Sequence, residues 1–336
     1  MSKILITGGA GYIGSHTVVE LLSIDKDIVI LDNFSNSNKD VLDKIKTITN
    51  KTFTFYEGDM NDEIILNKIF SENNIDSVID FAAYKAVGES VEKPIEYYTN
   101  NVGSVLTLLK VMKKYNCKKL VFSSSATVYG APKVLPITEK SEIGGTTNPY
   151  GTSKYMVELV LKDLYKSDNT WDICILRYFN PIGAHKSGLI GELPNGVPAN
   201  LLPYVCQVAS GKREKLSVYG NDYNTKDGTG VRDYIHVVDL AVGHIKAIEK
   251  LEKEGSGLYI YNLGTGEGYS VLDIIKTFET VNNVKVNYEI TSRRSGDIAA
   301  CFADPTLSYN ELGFKTVNSL EDMCKDMWNF EKNQNN

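Results

Sequence analysis

The chain has 336 residues, 42% of them hydrophobic and 23% charged, with a formal net charge of −6; that length suits one large domain or two coupled ones. The acidic balance, with no Lys/Arg block interleaved with aromatics, argues against nucleic-acid binding, and no apolar run approaches the roughly 18 residues of a membrane span. Cys117, Cys174, Cys206, Cys301 and Cys324 form no close pair, and His16, His185, His236 and His244 lack ligand spacing, so a reducing cytoplasm with free thiols is expected and a disulfide framework or zinc site is not.

In chain order, Ile4–Thr7 reads as a short buried strand. It begins so early that no signal peptide is expected. It runs into Gly8-Gly9-Ala10-Gly11-Tyr12-Ile13-Gly14, and a helix is predicted over Ile13–Ser23. Gly8 permits a tight turn, Gly11 allows backbone to approach a pyrophosphate, and Gly14 lets helix and strand pack closely. Tyr12 and Ile13 lie at that turn, where helix N–H groups face an anion. The strand Ile28–Asp32 then ends on an acid placed to grip the ribose hydroxyls of NAD and to repel the extra phosphate of NADP. Asn33, Phe34, Ser35, Asn36 and Ser37 follow it and should surround the adenosine ribose.

A helix Lys39–Thr49, a strand Thr52–Tyr56 and a helix Glu63–Glu72 come next. Asp59 could accept the adenine amino group and Met60 could pack on the ring. After a strand Ser77–Phe81, the stretch Phe81-Ala82-Ala83-Tyr84-Lys85 is the next place a dinucleotide would pass. A helix Ile95–Tyr115, a strand Leu120–Ser124, a helix Tyr150–Lys166 and a strand Asp172–Tyr178 complete a βαβα pattern. It predicts an α/β fold, a doubly wound parallel sheet of Rossmann type with ligand at the carboxyl ends of the strands.

Regularity breaks after Asn180. Pro181 to Pro198 reads as a long loop, followed by a helix near Asn200–Ser210, a strand Leu216–Tyr219, a polar loop Gly220–Gly230 and a helix Val237–Lys250. The expected organisation is a dinucleotide domain over 1–180, with 237–253 packing back on it, and a discontinuous substrate domain over 181–330. The tail from Lys332 to Asn336 is expected to be disordered. The two helices Ile95–Tyr115 and Tyr150–Lys166 carry apolar residues on more than one face, among them Tyr98, Val102, Leu106 and Leu109 in the first and Met156, Val157 and Leu159 in the second. Either the monomer buries them or a partner does.

The chemistry centres on Tyr150-Gly-Thr-Ser-Lys154, a phenol and an ammonium four residues apart on one helix face. A cation beside a phenol favours the phenolate, which can take a proton from a sugar hydroxyl. Ser125, at the end of the fifth strand, can bond both Tyr150 and that hydroxyl. Arg232 and Arg294 are candidate diphosphate clamps, because guanidinium forks match phosphate oxygens.

The glycine turn and the Tyr-Lys pair together resemble the extended branch of the short-chain dehydrogenase/reductase superfamily. Five blocks sharpen the likeness: 7–16, 85–91, 122–130, 176–181 (Leu-Arg-Tyr-Phe-Asn-Pro) and 227–236 (Asp-Gly-Thr-Gly-Val-Arg-Asp-Tyr-Ile-His). They are similar to the UDP-glucose (UDP-galactose) 4-epimerase family from Lys3 to about Trp328. The resemblance implies reversible C4 epimerisation of UDP-galactose and UDP-glucose through a 4-keto sugar, with NAD as a retained cofactor. It implies that Lys85 and Lys154 reach the nicotinamide ribose and that Asn100 and Phe179 also contact the cofactor. It places Asn180 near the substrate's phosphoryl groups, and Asn200, Leu201, Ser217, Val218 and Tyr219 around the uridine. Asp297 would contact its ribose, and Cys301 would line the sugar subsite. It also tips the apolar helices toward a homodimer through a four-helix bundle. This chain departs from the family's usual Gly-Leu at Ala83-Tyr84. A small Cys301, where some members carry tyrosine, further implies activity on UDP-GlcNAc and UDP-GalNAc. The competing readings are a nucleotide-sugar 4,6-dehydratase and a non-catalytic NAD-sensing protein. Dehydratases typically carry an Asp-Glu pair just after the catalytic-strand serine or threonine, where this chain has Ala126-Thr127.

Overall fold

The computed structural model describes residues 2–194, 196–294 and 296–334. Six strands with the expected parallel-sheet character appear as β1 (Lys3–Thr7), β2 (Ile28–Asp32), β3 (Thr54–Glu57), β4 (Ile75–Asp80), β5 (Lys119–Ser125) and β6 (Asp172–Tyr178). Between them run helices α1 (Tyr12–Ser23), α2 (Asp40–Thr49), α3 (Glu63–Glu72), α4 (Ser104–Lys114) and α5 (Pro149–Ser167). Beyond β6 come α6 (Leu201–Ala209), α7 (Val237–Glu254), β7 (Gly257–Leu263), α8 (Val271–Asn282) and α9 (Leu320–Asn333).

The seven strands pair in the order β7-β6-β5-β4-β1-β2-β3, and every pairing is parallel. The strand order reverses between β1 and β4, which opens a crevice at their carboxyl ends. Two apolar layers cover the sheet. One joins α1, α2 and α7 to it through residues such as Val18, Ile45 and Leu240. The other joins α3, α4 and α5 through Leu66, Leu108 and Leu161. A third core unites α6, α8 and α9 around Leu202, Phe278 and Met327. Helix α7 packs along α1.

Three elements differ from expectation. The helix expected over 95–115 is broken into a short helix Pro94–Tyr98, a wide π turn Thr99–Gly103 and α4. The turn holds Asn101, whose buried amide bonds the Tyr84 backbone at 2.8 and 3.0 Å and Ser153 Oγ at 3.0 Å. Strand β7 was not expected, because the chain leaves the sheet after β6 and returns only after α7. The tail is helical through Asn333, not disordered: a capping box at Ser319 starts α9, and buried Met323, Met327 and Phe330 hold it down. Asn335 and Asn336 lie outside the described residues.

Candidate active site

The glycine turn between β1 and α1 forms the cleft's first wall. Gly8 has φ +68°, and a Cβ there would lie 2.9 Å from the Ala82 nitrogen. A Cβ on Gly14 would collide with the Gly8 carbonyl. Bare backbone therefore faces the cleft, as a diphosphate requires. Gly8, Gly11, Tyr12, Ile13 and Gly14 all line a cleft of about 250 Å³. On the β2–β3 side it is lined by Asp32, Asn33, Ser35, Asn36, Ser37, Asp59 and Met60. On the β4–β5 side the lining is Phe81, Ala82, Ala83, Tyr84, Lys85, Asn100, Tyr150 and Lys154. The residues suit a dinucleotide.

Asp32 is buried and already bonded. Its Oδ2 accepts from Ala10 N at 2.9 Å; Oδ1 accepts from Phe34 N at 2.9 Å and Ser37 Oγ at 2.8 Å. A carboxylate has about four acceptor sites, so room remains for a hydroxyl donor, while a second anion meets a fixed negative charge. Asp59 accepts from Asn61 N, Asn61 Nδ2 and Asn33 Nδ2 at 2.8–2.9 Å. Burial alone would raise its pKa, and these bonds hold it below the ordinary value.

Asn148 caps α5 with a 2.9 Å bond from Gly151 N, and Pro149 sits in its first turn, which sets Tyr150 and Lys154 on one face. Burial pushes the Tyr150 phenol up, and the neighbouring Ser125 hydroxyl opposes that shift. Lys154 Nζ donates to Ser123 O at 2.7 Å and lies 4.9 Å from the Phe122 ring centroid. Burial lowers its pKa to about 8, opposed by the Asp80 carboxylate. The ammonium is thus tied to the β5 backbone. Ser125 Oγ accepts from Thr127 N at 3.2 Å and Thr127 Oγ1 at 3.0 Å.

Behind these groups lies a buried ion pair. Glu158 Oε1 accepts from Ser124 Oγ at 2.6 Å and Arg177 Nε at 2.9 Å, and Oε2 accepts from Arg177 Nη2 at 2.6 Å. It fastens the helix carrying Tyr150 to the two strands beside it.

The substrate-side residues fall into groups. The Arg294 guanidinium lies 4.7 Å from the Tyr219 ring centroid and donates to Asp297 at 2.9 Å. Arg232 pairs in register with Cys301 across two short parallel strands, and its Nη1 donates to Val231 O and Ile298 O at 2.8 and 2.9 Å. Cys301 is half-buried, and burial pushes its thiol up to about 11 against the pull of Arg232. Asn200 stands immediately before α6, whose first residue is Leu201, without a side-chain capping bond. Asn180 opens a three-residue strand paired with Tyr234–His236. Ser217 is half-buried on a strand paired with Tyr288–Thr291.

Some expected residues sit elsewhere. Val218 is 1% exposed and belongs to the third core, so only its backbone can face a ligand. Phe34 packs on Phe55, and Phe179 is buried against Val128, Tyr129 and Ile137; neither lines the cleft, nor does Ser125. The sequence reading missed Tyr178, Leu189–Pro194 and Phe330, which do line it. The signal for Tyr178 was its place at the end of β6. Glu192 had none, since it stands in an irregular loop with no motif spacing.

Comparison with known proteins gives these positions a family. A family model described as GDP-mannose 4,6 dehydratase matches residues 5–327. The UDP-glucose 4-epimerase of Haemophilus influenzae is 62% identical over 330 residues, which is 98% of this chain and 97% of that protein. A crystal structure of UDP-glucose 4-epimerase from Bifidobacterium longum, in complex with NAD+ and UDP, is 54% identical with a TM-score of 0.96 and covers 99% of both chains. Another from Stenotrophomonas maltophila, with bound NAD and formylated UDP-arabinopyranose, is 44% identical with a TM-score of 0.97, covering 100% of this chain and 99% of that one. Likeness of that extent, running through the glycine turn, the Tyr-Lys helix and the arginine-bearing strands alike, means that the chain belongs to the UDP-glucose 4-epimerase family, in the extended branch of the short-chain dehydrogenase/reductases.

Proposed function

We propose that this protein interconverts UDP-galactose and UDP-glucose by NAD-dependent epimerisation at C4, through a 4-keto sugar. The observation that carries the reading is the placement of Tyr150 and Lys154 in the lining of a bare-backbone cleft whose far side holds Asp32. NAD, when bound, takes up and returns the C4 hydride and adds positive charge beside the phenol. Gly8, Gly11, Tyr12, Gly14, Asp32, Asn33, Lys85, Asn100 and Lys154 are the residues that would hold it, and Asp32 selects NAD over NADP.

Tyr150 Oη removes the C4 hydroxyl proton, with Ser125 Oγ orienting that hydroxyl, and returns the proton after the sugar has turned its other face. Burial alone keeps the phenol protonated, so its base form depends on charge that arrives with the ligands. Arg232 and Arg294 hold the diphosphate, and Tyr219 stacks on the uracil. Binding energy then sits far from the reacting carbon, and the sugar stays free to rotate. We assign residues 1–180, with 237–253 returning to them, to the cofactor half and 181–330 to the UDP-sugar half. The protein acts in the cytoplasm as a homodimer. The small Cys301 side chain extends its substrates to UDP-GlcNAc and UDP-GalNAc.

A dehydratase would need an acid and a base near C5 and C6. Ala126 and Thr127 follow Ser125, and Glu139 is bonded to Asn262 N at 2.7 Å, so neither catalytic carboxylate is provided. The deciding experiment incubates the pure protein with UDP-galactose, analyses the sugar products, and identifies the cofactor released on denaturation. UDP-glucose and NAD(H) are expected. A 4-keto-6-deoxy product would favour the dehydratase, no turnover would favour a sensor, and NADP(H) would refute the role given to Asp32.

A further inference from the structure

Glu192 has no role in the account above, yet it lies where the two halves meet. It belongs to Leu189–Pro194, a segment lining the dinucleotide cleft, and is only 5% exposed. Its Oε1 accepts from Lys85 Nζ at 2.8 Å and from Asn200 Nδ2 at 2.6 Å. Lys85 follows β4 on the cofactor side; Asn200 immediately precedes α6 on the substrate side. One carboxylate oxygen therefore ties both sides to the segment between them. The other oxygen, Oε2, is buried and has no hydrogen-bond partner among the described residues.

That imbalance has a consequence. A buried carboxylate with an unpaired oxygen is held in place by its partners, not by its own solvation. If Lys85 or Asn200 lets go, Glu192 is better off in water, and the segment must lift to reach it. While both bonds hold, the segment stays down. Lys85 carries three donors and lies 5.7 Å from the ring centroid of Tyr12 at the glycine turn, so it can serve Glu192 and a cleft ligand together.

We propose that Glu192 is a cofactor-retention residue: bonded to Lys85 and Asn200, it latches Leu189–Pro194 over the cleft and sets how slowly NAD leaves. The inference rests on the reading of this cleft as an NAD site. A negative charge near a diphosphate could instead repel it, so the sign of the effect decides.

The test follows exchange of bound NAD for labelled NAD in the purified holoprotein. Glu192→Ala should exchange at least about tenfold faster, the scale of one lost charge-assisted hydrogen bond. Glu192→Gln keeps an oxygen that accepts from both partners, so its exchange should stay within about threefold of the parent. Asn200→Ala frees the same latch from the other side and should also speed exchange. Unchanged or slower exchange in Glu192→Ala overturns the latch, as does Glu192→Gln exchanging as fast as Glu192→Ala. A parent protein that holds no NAD refutes the cofactor reading and the latch together.

Discussion

Tyr150 and Cys301 carry the sharpest consequences at the scale of single residues. Tyr150→Phe removes only the proton-transferring oxygen and leaves the ring in its buried seat. Activity should fall at least about 10²-fold, the low end for a general base, while NAD content and UDP affinity stay at parent levels. Near-normal turnover would move the base role to Ser125, the neighbouring hydroxyl. Cys301 lies in register with Arg232 and packs beside the cluster of Val128, Tyr129 and Phe179. A tyrosine there would claim space that an N-acetyl group must cross as the sugar turns. Overpacking costs roughly 1–3 kcal/mol, and each 1.4 kcal/mol is about tenfold in rate. Cys301→Tyr should therefore suppress turnover of UDP-GlcNAc while largely sparing UDP-galactose. Assays of both proteins with both sugars check this; a parent inactive on UDP-GlcNAc would mean that another wall sets the pocket.

Among the elements, β6 carries a carboxylate with no chemistry to do. Asp172 opens the strand at the end remote from the cleft, is 4% exposed, and neither of its oxygens has a hydrogen-bond partner among the described residues. Burial raises its pKa to about 7, opposed by Lys119 and reinforced by Glu254. An unfolded aspartate titrates near pH ~4. Between those values the folded chain binds more protons than the unfolded one, so Asp172 erodes stability as pH rises through that window. Asp172→Asn should gain melting temperature relative to the parent from pH 5 to pH 8; a difference independent of pH would exclude this. The same strand shows what sequence makes legible. Strands β1, β2 and β4 to β6 are largely buried runs, and they were placed to within two residues because burial on both faces leaves a continuous signal; β3, at the sheet edge and only partly buried, was placed as closely from the turns around it. Strand β7 was missed because its partner β6 is remote in sequence. The π turn was missed because hydrophobic periodicity reports a helix, not its width. At the site, glycine spacing and the Tyr-Lys interval were legible because each is a local geometric demand. Glu192 was not, since its partners Lys85 and Asn200 meet it only in three dimensions.

For the whole molecule, the open question raised by the sequence was whether one chain buries both apolar helices. It buries much of them: Val105, Leu109 and Met112 of α4 and Val157 and Leu161 of α5 lie in the second core. What remains outside is Leu106 at 41% exposure, Met156 at 40% and Leu159 at 41%, with Ile95 at 75% on the short helix before the π turn. Scattered apolar residues need no partner, but adjoining helices that share an apolar remainder do suggest one. The dimensions are adequate. Helix α5 has 19 residues, which at 1.5 Å each span roughly 28 Å, and the short helix Pro94–Tyr98 packed against it widens the face. Two such faces meeting about a two-fold axis form a four-helix bundle of the standard interface size, roughly 1,200–2,000 Å². The proposed homodimer should therefore sediment as two chains at micromolar concentration. Replacing Leu106 and Leu159 together by glutamate should give a folded monomer, because each copy would then bring two carboxylates, four in all, into one desolvated seam. A parent that sediments as a single chain, or a double variant that remains dimeric, would place the remainder on a free surface and put the subunit contact, if one exists, on another face.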